Sequence, residues 1–467
     1  MVKSRSGRRK RPHTTQHRSH PYANYPDYAN HAYNINDDRQ GALLIVSGSN
    51  GYYSLPSLDN MLQSLVLIEE GKHEFSGEEE NIQELRQLFF PITRNCVYLN
   101  HAADGPLPSP VARTLYAYIE DTSHFGNVHF ARWTGHAQGA HRRMANMIRV
   151  RPDQVAMTGS TSDGLMLIAD GLRWQPGDMI ISAECEFPSN VYPWLNLREQ
   201  GVQVNLVKMR ENRVAVEDVL SSITERTRLV SLSLVEFSTG YRNDVATIAR
   251  YCHERGIICG IDAAQALGAL DIDVHILGVD YLAAVSHKWL LSPHTTGILF
   301  VADDLQAQLH SARKGWFSVQ TPYDFFNYEQ PLKAGMARFE HSTPNGLPIL
   351  GLDAALEIFE CIDGGMAAIE DRISGLTSYA IAGLERIGYP VVSPQGDGER
   401  SGIVCFKLHP ERQGLSPLQF VDELASRNIH VAARGDVVRI SPHFYNTLEE
   451  IDVLLNALED LRKSSAV

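Results

Sequence analysis

From Asn95 onward, short apolar runs alternate with segments whose apolar positions recur at helical spacing. The runs are Val155 to Met157, Met179 to Ser182, Val204 to Val207, Leu229 to Leu234, Ile257 to Ile261, Tyr281 to Val285 and Gly297 to Val301. Strands separated by helix-length segments predict crossover units, hence a mainly parallel sheet with helices on both faces. Ligands of such a sheet collect at the carboxyl ends of its strands.

After Pro344 the pattern changes. Long helices are predicted at Leu347 to Ile362 and Met366 to Ile387, then strands near Tyr389 to Ser393 and Ile403 to Leu408. A helix at Pro417 to Arg427, two short strands around His430 and Val437, and a closing helix from Leu448 complete the chain. The fold class is therefore α/β, with a large, mainly parallel-sheet αβα domain at 94–340 and a smaller C-terminal α+β domain at 341–467.

Residues 1–93 differ in kind. Met1 to His20 carries Lys3, Arg5, Arg8, Arg9, Lys10, Arg11 and Arg18 with no acid, and Tyr-, Asn- and His-rich sequence follows it. With little to bury, this reads as a largely disordered extension, free to recruit a partner and lacking the apolar region of a secretory signal. Within it, Ser57 to Glu70 predicts a short helix capped by Ser57, with Leu58, Met61, Leu62, Leu65 and Ile68 on one side.

Length and composition narrow the class. A chain of 467 residues suits two packed domains, and a formal charge of −13 argues against nucleic-acid binding. No apolar run is long enough to span a bilayer. The six cysteines lack paired spacing, which disfavours a metal site and a disulfide framework and points to a reducing, cytoplasmic setting.

The chemistry concentrates between Gly260 and Trp289. Lys288 comes three residues after the run Tyr281 to Val285 and is followed by Trp289-Leu-Leu, where desolvation lowers an amine toward a usable base. Asp262 ends an apolar run and precedes a predicted helix, so it is either a helix cap or a buried carboxylate in need of a cation. A lysine and an upstream acid so placed are what holding pyridoxal phosphate requires: the amine bonds the aldehyde, and the acid keeps the pyridine nitrogen protonated. Gln265 then faces the ring's phenolic oxygen, and Ser286 and His287 reach toward the phosphate. Met157 to Gly164 ends a run and opens a helix, and the hydroxyls of Ser160, Thr161 and Ser162 there form an anion cradle.

Taken together these residues resemble the class V aminotransferase-like group of fold-type I pyridoxal-phosphate enzymes. That group includes cysteine desulfurases, selenocysteine lyases and isopenicillin-N-epimerase-like and C–S lyase branches. The resemblance covers roughly Val97 to Leu461. It rests on Val97-Tyr-Leu-Asn-His-Ala-Ala, Ser160 to Ser162, Glu186 to Trp194, the Asp262/Gln265 pair, His287-Lys288, Arg338 to Asn345 and Val438 to Asn446. It implies that Phe187 stacks on the cofactor ring, that Arg439 grips the substrate carboxylate, and that Asn100 and His101 contact substrate; Glu236, which departs from the family pattern, is expected to face a polar group of the substrate. It also implies a homodimer in which Thr343 reaches the neighbour's phosphate.

Two departures narrow the reaction. Desulfurases carry a nucleophilic cysteine on a loop before the substrate arginine, whereas Ala432-Ala433-Arg434-Gly435-Asp436 runs almost directly into Arg439, and no cysteine follows Cys405. Glu236 also stands where desulfurases have an asparagine. The resulting expectation is a C–S lyase acting by β-elimination on a cysteine-derived substrate. Class V aminotransferase or epimerase activity is the alternative, and a non-catalytic scaffold is a rival of another kind.

Overall fold

The computed structural model describes residues 45–48, 51–54, 78–412 and 414–463. The chain divides into two units, residues 1–63 and 64–467. In the first, β1 (Ile45–Gly48) and β2 (Gly51–Ser54) pair antiparallel. The basic stretch Met1 to His20 and the helix expected at Ser57 to Glu70 lie outside the described residues.

The second unit opens with the helix Glu78–Phe89, followed by β3 (Val97–Tyr98). Its main sheet is built from β4 (Val155–Thr158), β5 (Met179–Ala183), β6 (Gln203–Val207), β7 (Thr227–Ser233), β8 (Ile258–Asp262), β9 (Tyr281–Val285) and β10 (Gly297–Val301). The order is β4-β10-β9-β8-β7-β5-β6, and only β10 runs against its neighbours. Each apolar run of the sequence became one of these strands. Every residue of β8 and β10 is buried, because helices cover both faces and leave no wet side for alternation. Gly260 of β8 pairs with Tyr281 of β9, and a Cβ at Gly260 would sit 2.1 Å from that phenol ring, so the glycine makes room for the aromatic.

The sheet's polarity brings the carboxyl ends of β4, β5, β7, β8 and β9 to one edge. The helix Thr161–Gly171 starts there, capped by Ser160, whose Oγ accepts the Asp163 amide at 3.1 Å. The turns Ala263 to Leu270 after β8 replace the regular helix expected there, with the Asp262 carboxylate accepting the Ala264 amide at 2.8 Å.

The C-terminal part contributes β11 (Val404–Phe406), β12 (Ile429–His430), β13 (Ala432–Arg434) and β14 (Val437–Ile440). β11, β14 and β13 form an antiparallel sheet in that order, while β12 pairs parallel with β3 from the start of the body. The helices Gly365–Arg386, Pro417–Ala425 and Leu448–Lys463 share a second core with these strands. The strand expected at Tyr389 to Ser393 shrinks to one bridge, Val391 to Phe406. Pro390 has no amide hydrogen to give a ladder, and the Cys405 amide donates instead to the Ser393 hydroxyl at 2.7 Å.

The helix Gly346–Glu360 packs on the helices Ser109–Phe125 and Phe130–Met147. Its buried Asp353 accepts from Arg143 and sits 2.8 Å from His136 Nδ1.

Residues 78–93 fall within the stretch read as extension, yet the structure lays them on the body. Ile82, Leu85 and Phe89 form one helical face, and all three are buried in the main core. Arg86 donates to the Tyr445 carbonyl at 2.7 Å and pairs with Glu450 at 2.9 Å, while Phe90 stacks on Tyr445 with ring centroids 3.9 Å apart. Phe90→Ala is expected to lower unfolding free energy by about 3–5 kcal/mol, the usual cost of emptying a buried aromatic site. Urea denaturation at neutral pH reads this directly. A loss under about 1 kcal/mol would show that residues 78–93 are not part of the cooperative core.

Candidate active site

Loops after the strand ends enclose a cavity of about 370 Å³. Lys288 enters it from the turn after β9, and the backbone there is clamped from several sides. Gly105 donates its amide to the His287 carbonyl at 2.8 Å, and a Cβ at Gly105 would lie 2.3 Å from the Lys288 carbonyl oxygen. Trp289 Nε1 donates to Gln265 Oε1 at 3.0 Å, and His443 Nε2 donates to the Trp289 carbonyl at 2.8 Å. The amine is therefore aimed by a fixed backbone.

Burial, with the Arg439 and Arg434 guanidiniums adding repulsion, pulls Lys288 from the ordinary lysine range to about 8; the Asp262 carboxylate opposes this. Burial pushes Asp262 up to about 6, against the opposing effects of the Ala264 amide and Lys288. Phe187 lies across the cavity, with its ring centroid 5.4 Å from Lys288 Nζ and edge-on to Phe237. Gln265 donates one amide hydrogen to the Ala102 carbonyl at 2.9 Å, and the Trp289 contact fixes which end of the amide is nitrogen.

At the helix start, Ser160 and Thr161 line the cavity, and the buried Thr161 hydroxyl has no hydrogen-bond partner among the described residues. Ser162 donates to Ser189 at 2.8 Å, and Ser189 also lines the cavity. His287 lines the same space and stacks on His294 at 4.2 Å. Burial drops His287 to about 4, so it is neutral, and among the described residues its Nδ1 has no partner.

Arg439 also lines the cavity. It is 1 % exposed, and only Nη1 is engaged, donating to the Phe237 carbonyl at 2.8 Å. Among the described residues Nε and Nη2 are buried without partners, so one edge of the fork has both donors free. Burial and Arg434 pull this guanidinium down to about 9. An uncompensated buried cation of this kind demands an anion, and a carboxylate matches both free donors.

Several residues expected here point elsewhere. Ser286 donates to the Thr296 carbonyl at 2.8 Å and does not line the cavity. His101 is fully buried behind it, donating from Nδ1 to the Ser441 carbonyl and accepting from the Tyr445 hydroxyl at Nε2; burial holds it neutral. Asn100 does not line the cavity; its backbone carbonyl accepts the Ala103 and Asp104 amides, in the turn that brings Ala102 and Ala103 to the wall. Glu236 turns inward to Asn243 at 2.9 Å, and burial with repulsion from Asp262 lifts it to about 7. Thr343 is exposed and lines a neighbouring cavity of about 810 Å³ that shares Ser160 with the first. Conversely, Ser189, Ser233, Phe237 and Arg434 line the cavity without having been singled out for it. Ser189 lies inside the Glu186 to Trp194 segment, and Arg434 inside the stretch before Arg439, so both were within view.

These groups fit pyridoxal phosphate. An orphaned hydroxyl at a helix start suits a phosphate, a buried carboxylate suits a protonated pyridine nitrogen, and a desolvated lysine suits an aldehyde.

A family described as aminotransferase class-V matches residues 97–454. A probable cysteine desulfurase of Methanothermobacter thermautotrophicus is 30% identical over 402 residues, covering 79% of this chain and 96% of the relative. The structure of a cysteine desulfurase from Thermococcus onnurineus superposes with a TM-score of 0.73 at 24% identity, over 82% of this chain and 98% of that one. The cystine C–S lyase C-DES, solved with its product cysteine persulfide, gives 0.72 at 23% identity over 79% and 99%.

The site is costly to the fold when nothing fills it. Asp262 binds its proton more tightly folded than unfolded, so its contribution to stability is present below its ordinary 3.8 and is lost as pH rises through about 6. Asp262→Asn, which keeps an acceptor for the Ala264 amide, is expected to stabilise the cofactor-free protein by roughly 1–3 kcal/mol at pH 7.5 and by almost nothing at pH 4. Denaturant titrations at both pH values check this, and destabilisation at pH 7.5 would contradict it.

Proposed function

The chain belongs to the aminotransferase class-V family and is a pyridoxal 5′-phosphate-dependent enzyme, and from that premise we propose that it cleaves a cysteine-derived amino acid at its C–S bond by β-elimination. The observation that carries the choice of reaction is the wall of the cavity, which among the described residues contains no cysteine. The stretch before Arg439 is a tight hairpin, β13 to β14, with only Gly435 and Asp436 between the strands. Cys405 pairs across from Arg439 but is buried. Its thiol donates to the Ser238 carbonyl at 3.3 Å, and burial pushes it up to about 12, so it stays protonated. No enzyme thiol is therefore poised to take sulfur, and the sulfur leaves with its substituent.

In this reading Ser160, Thr161, Ser162, Ser189 and His287 hold the phosphate, Phe187 covers the ring, Gln265 serves its hydroxyl and Asp262 its nitrogen. When bound, the cofactor supplies a sink for the electron pair left at the substrate's α-carbon. Arg439 takes the substrate α-carboxylate on its Nε and Nη2 edge, which orients the α-hydrogen toward Lys288. Lys288 accepts that proton at Nζ, which its depressed basicity allows near neutral pH. The electron pair from the α-carbon forms the new Cα=Cβ bond as the Cβ–S bond breaks, and the thiolate leaves with the sulfur pair. In water the three-carbon remainder ends as pyruvate and ammonia. The hydrophobic walls Phe187, Phe237 and Val285 limit access of water to the proton on Lys288. A homodimer, with Thr343 meeting the partner's phosphate, belongs to the same reading.

Incubation of the purified enzyme with cysteine, cystine and a cysteine sulfoxide is expected to release pyruvate stoichiometrically with the sulfur fragment. Keto acid without sulfur release would indicate transamination instead, and a racemised amino acid without keto acid would indicate epimerisation. Lys288→Ala is expected to lower turnover by about 10²–10⁴-fold, the range for a lost general base. Arg439→Ala is expected to lower kcat/KM by about 10²-fold through loss of a paired charge-assisted contact. Steady-state kinetics on pyruvate formation test both, and wild-type kcat/KM in Arg439→Ala would overturn the carboxylate assignment.

A further inference from the structure

Arg439 is not alone on its face of the hairpin. Ala432 of β13 pairs directly with Arg439 of β14, and Arg434 lies two residues beyond Ala432 on the same strand. Directly paired residues share a face, and so do residues two apart, so Arg434 and Arg439 point the same way as diagonal neighbours. Both residues line the cavity. Arg434 donates only to the adjacent Ala433 carbonyl at 2.7 Å, and it has no acidic side chain within ion-pair distance among the described residues. Burial lowers its basicity too, as it does for Arg439 and Lys288.

Charge counting then sets the problem. The cavity wall holds one carboxylate, Asp262, against two guanidiniums and the Lys288 amine. Asp262 is committed to the cofactor in the reading above. A substrate α-carboxylate fills the free edge of Arg439, because that edge presents two donors for two oxygens. Arg434 is left over as a second partly desolvated cation, and like charges held side by side on one hairpin face are unfavourable unless an anion lies between or beside them.

We propose that Arg434 is a specificity residue that receives a second acidic group on the substrate, so that the enzyme selects amino acids whose side chain ends in a carboxylate, sulfinate or sulfonate. The proposal rests on the amino-acid reading of this site given above. It deepens that reading by naming the substrate's distal chemistry. Among sulfur-linked substrates it favours those in which the departing sulfur fragment itself carries an acid, cystine being the simplest.

Binding of unreactive or slowly reacting amino acids to the holoenzyme separates the possibilities. L-alanine carries one carboxylate, and L-aspartate and L-glutamate carry two acidic groups and no sulfur leaving group. Dissociation constants come from the change in the cofactor's absorption and, independently, from calorimetry. The wild type is expected to bind the two diacids at least tenfold more tightly than alanine. Arg434→Gln is expected to reduce that preference to threefold or less, while Arg434→Lys, which keeps the charge without the fork, retains an intermediate preference. Thermal unfolding of each variant confirms that it is folded. Equal weakening of alanine and the diacids in Arg434→Gln would overturn the proposal, by showing that both arginines grip the α-carboxylate. Absence of any diacid preference in the wild type would overturn it as well. Failure of every amino acid, alanine included, to perturb the cofactor would instead sink the amino-acid reading on which it rests.

Discussion

One cavity holds charges that the fold itself does not neutralise. Asp262, Lys288 and Arg439 are carried into apolar surroundings by β8, β9 and β14, and burial displaces each from its ordinary basicity. A protein gains nothing in stability from such an arrangement unless something binds there. The rest of the architecture can be understood as the frame that makes this arrangement possible. The parallel strands bring their carboxyl ends to one edge, the Trp289 and Gly105 contacts fix the lysine's backbone, and the C-terminal sheet delivers the arginines from the other side.

The frame also explains why the C-terminal part cannot be an independent appendage. β3, at the start of the body, pairs with β12 near its end, and Ser441 bonds back to the segment Leu99 to Ala102. The wall formed by Ala102 and Ala103 is thus held by the same sheet that presents Arg439. Arg439 and the Ala102–Ala103 wall are tied together by one continuous set of contacts, which is how a site assembled from distant parts of the chain keeps its geometry.

Much of the fold was legible in the sequence, because a sheet buried on both faces leaves unbroken apolar runs, and those from Val155 to Val301 each became a strand. The helix Glu78–Phe89 was passed over although Ile82, Leu85 and Phe89 carry its apolar face, since the polar residues between them match the extension before it. At the site, residues tied to backbone position were readable: Lys288 after a strand, Asp262 at a strand's end, Ser160 at a helix start. Residues whose role depends on side-chain direction were not. Ser286 and His101 stand next to cavity residues in sequence but turn to the Thr296 and Ser441 carbonyls, and Glu236 turns to Asn243. Arg434 shows the converse, because its direction follows from the hairpin register, which a sequence does not state.

Chemistry at this site requires an amine that bonds the coenzyme, the role proposed for Lys288. Borohydride reduction of the purified enzyme, followed by digestion and peptide mass spectrometry, tests this directly. Loss of the yellow absorbance is expected, with a reduced pyridoxal-phosphate adduct on the peptide containing Lys288 alone. An adduct on another lysine, or a colourless protein that takes up no adduct even after incubation with the cofactor, would contradict it.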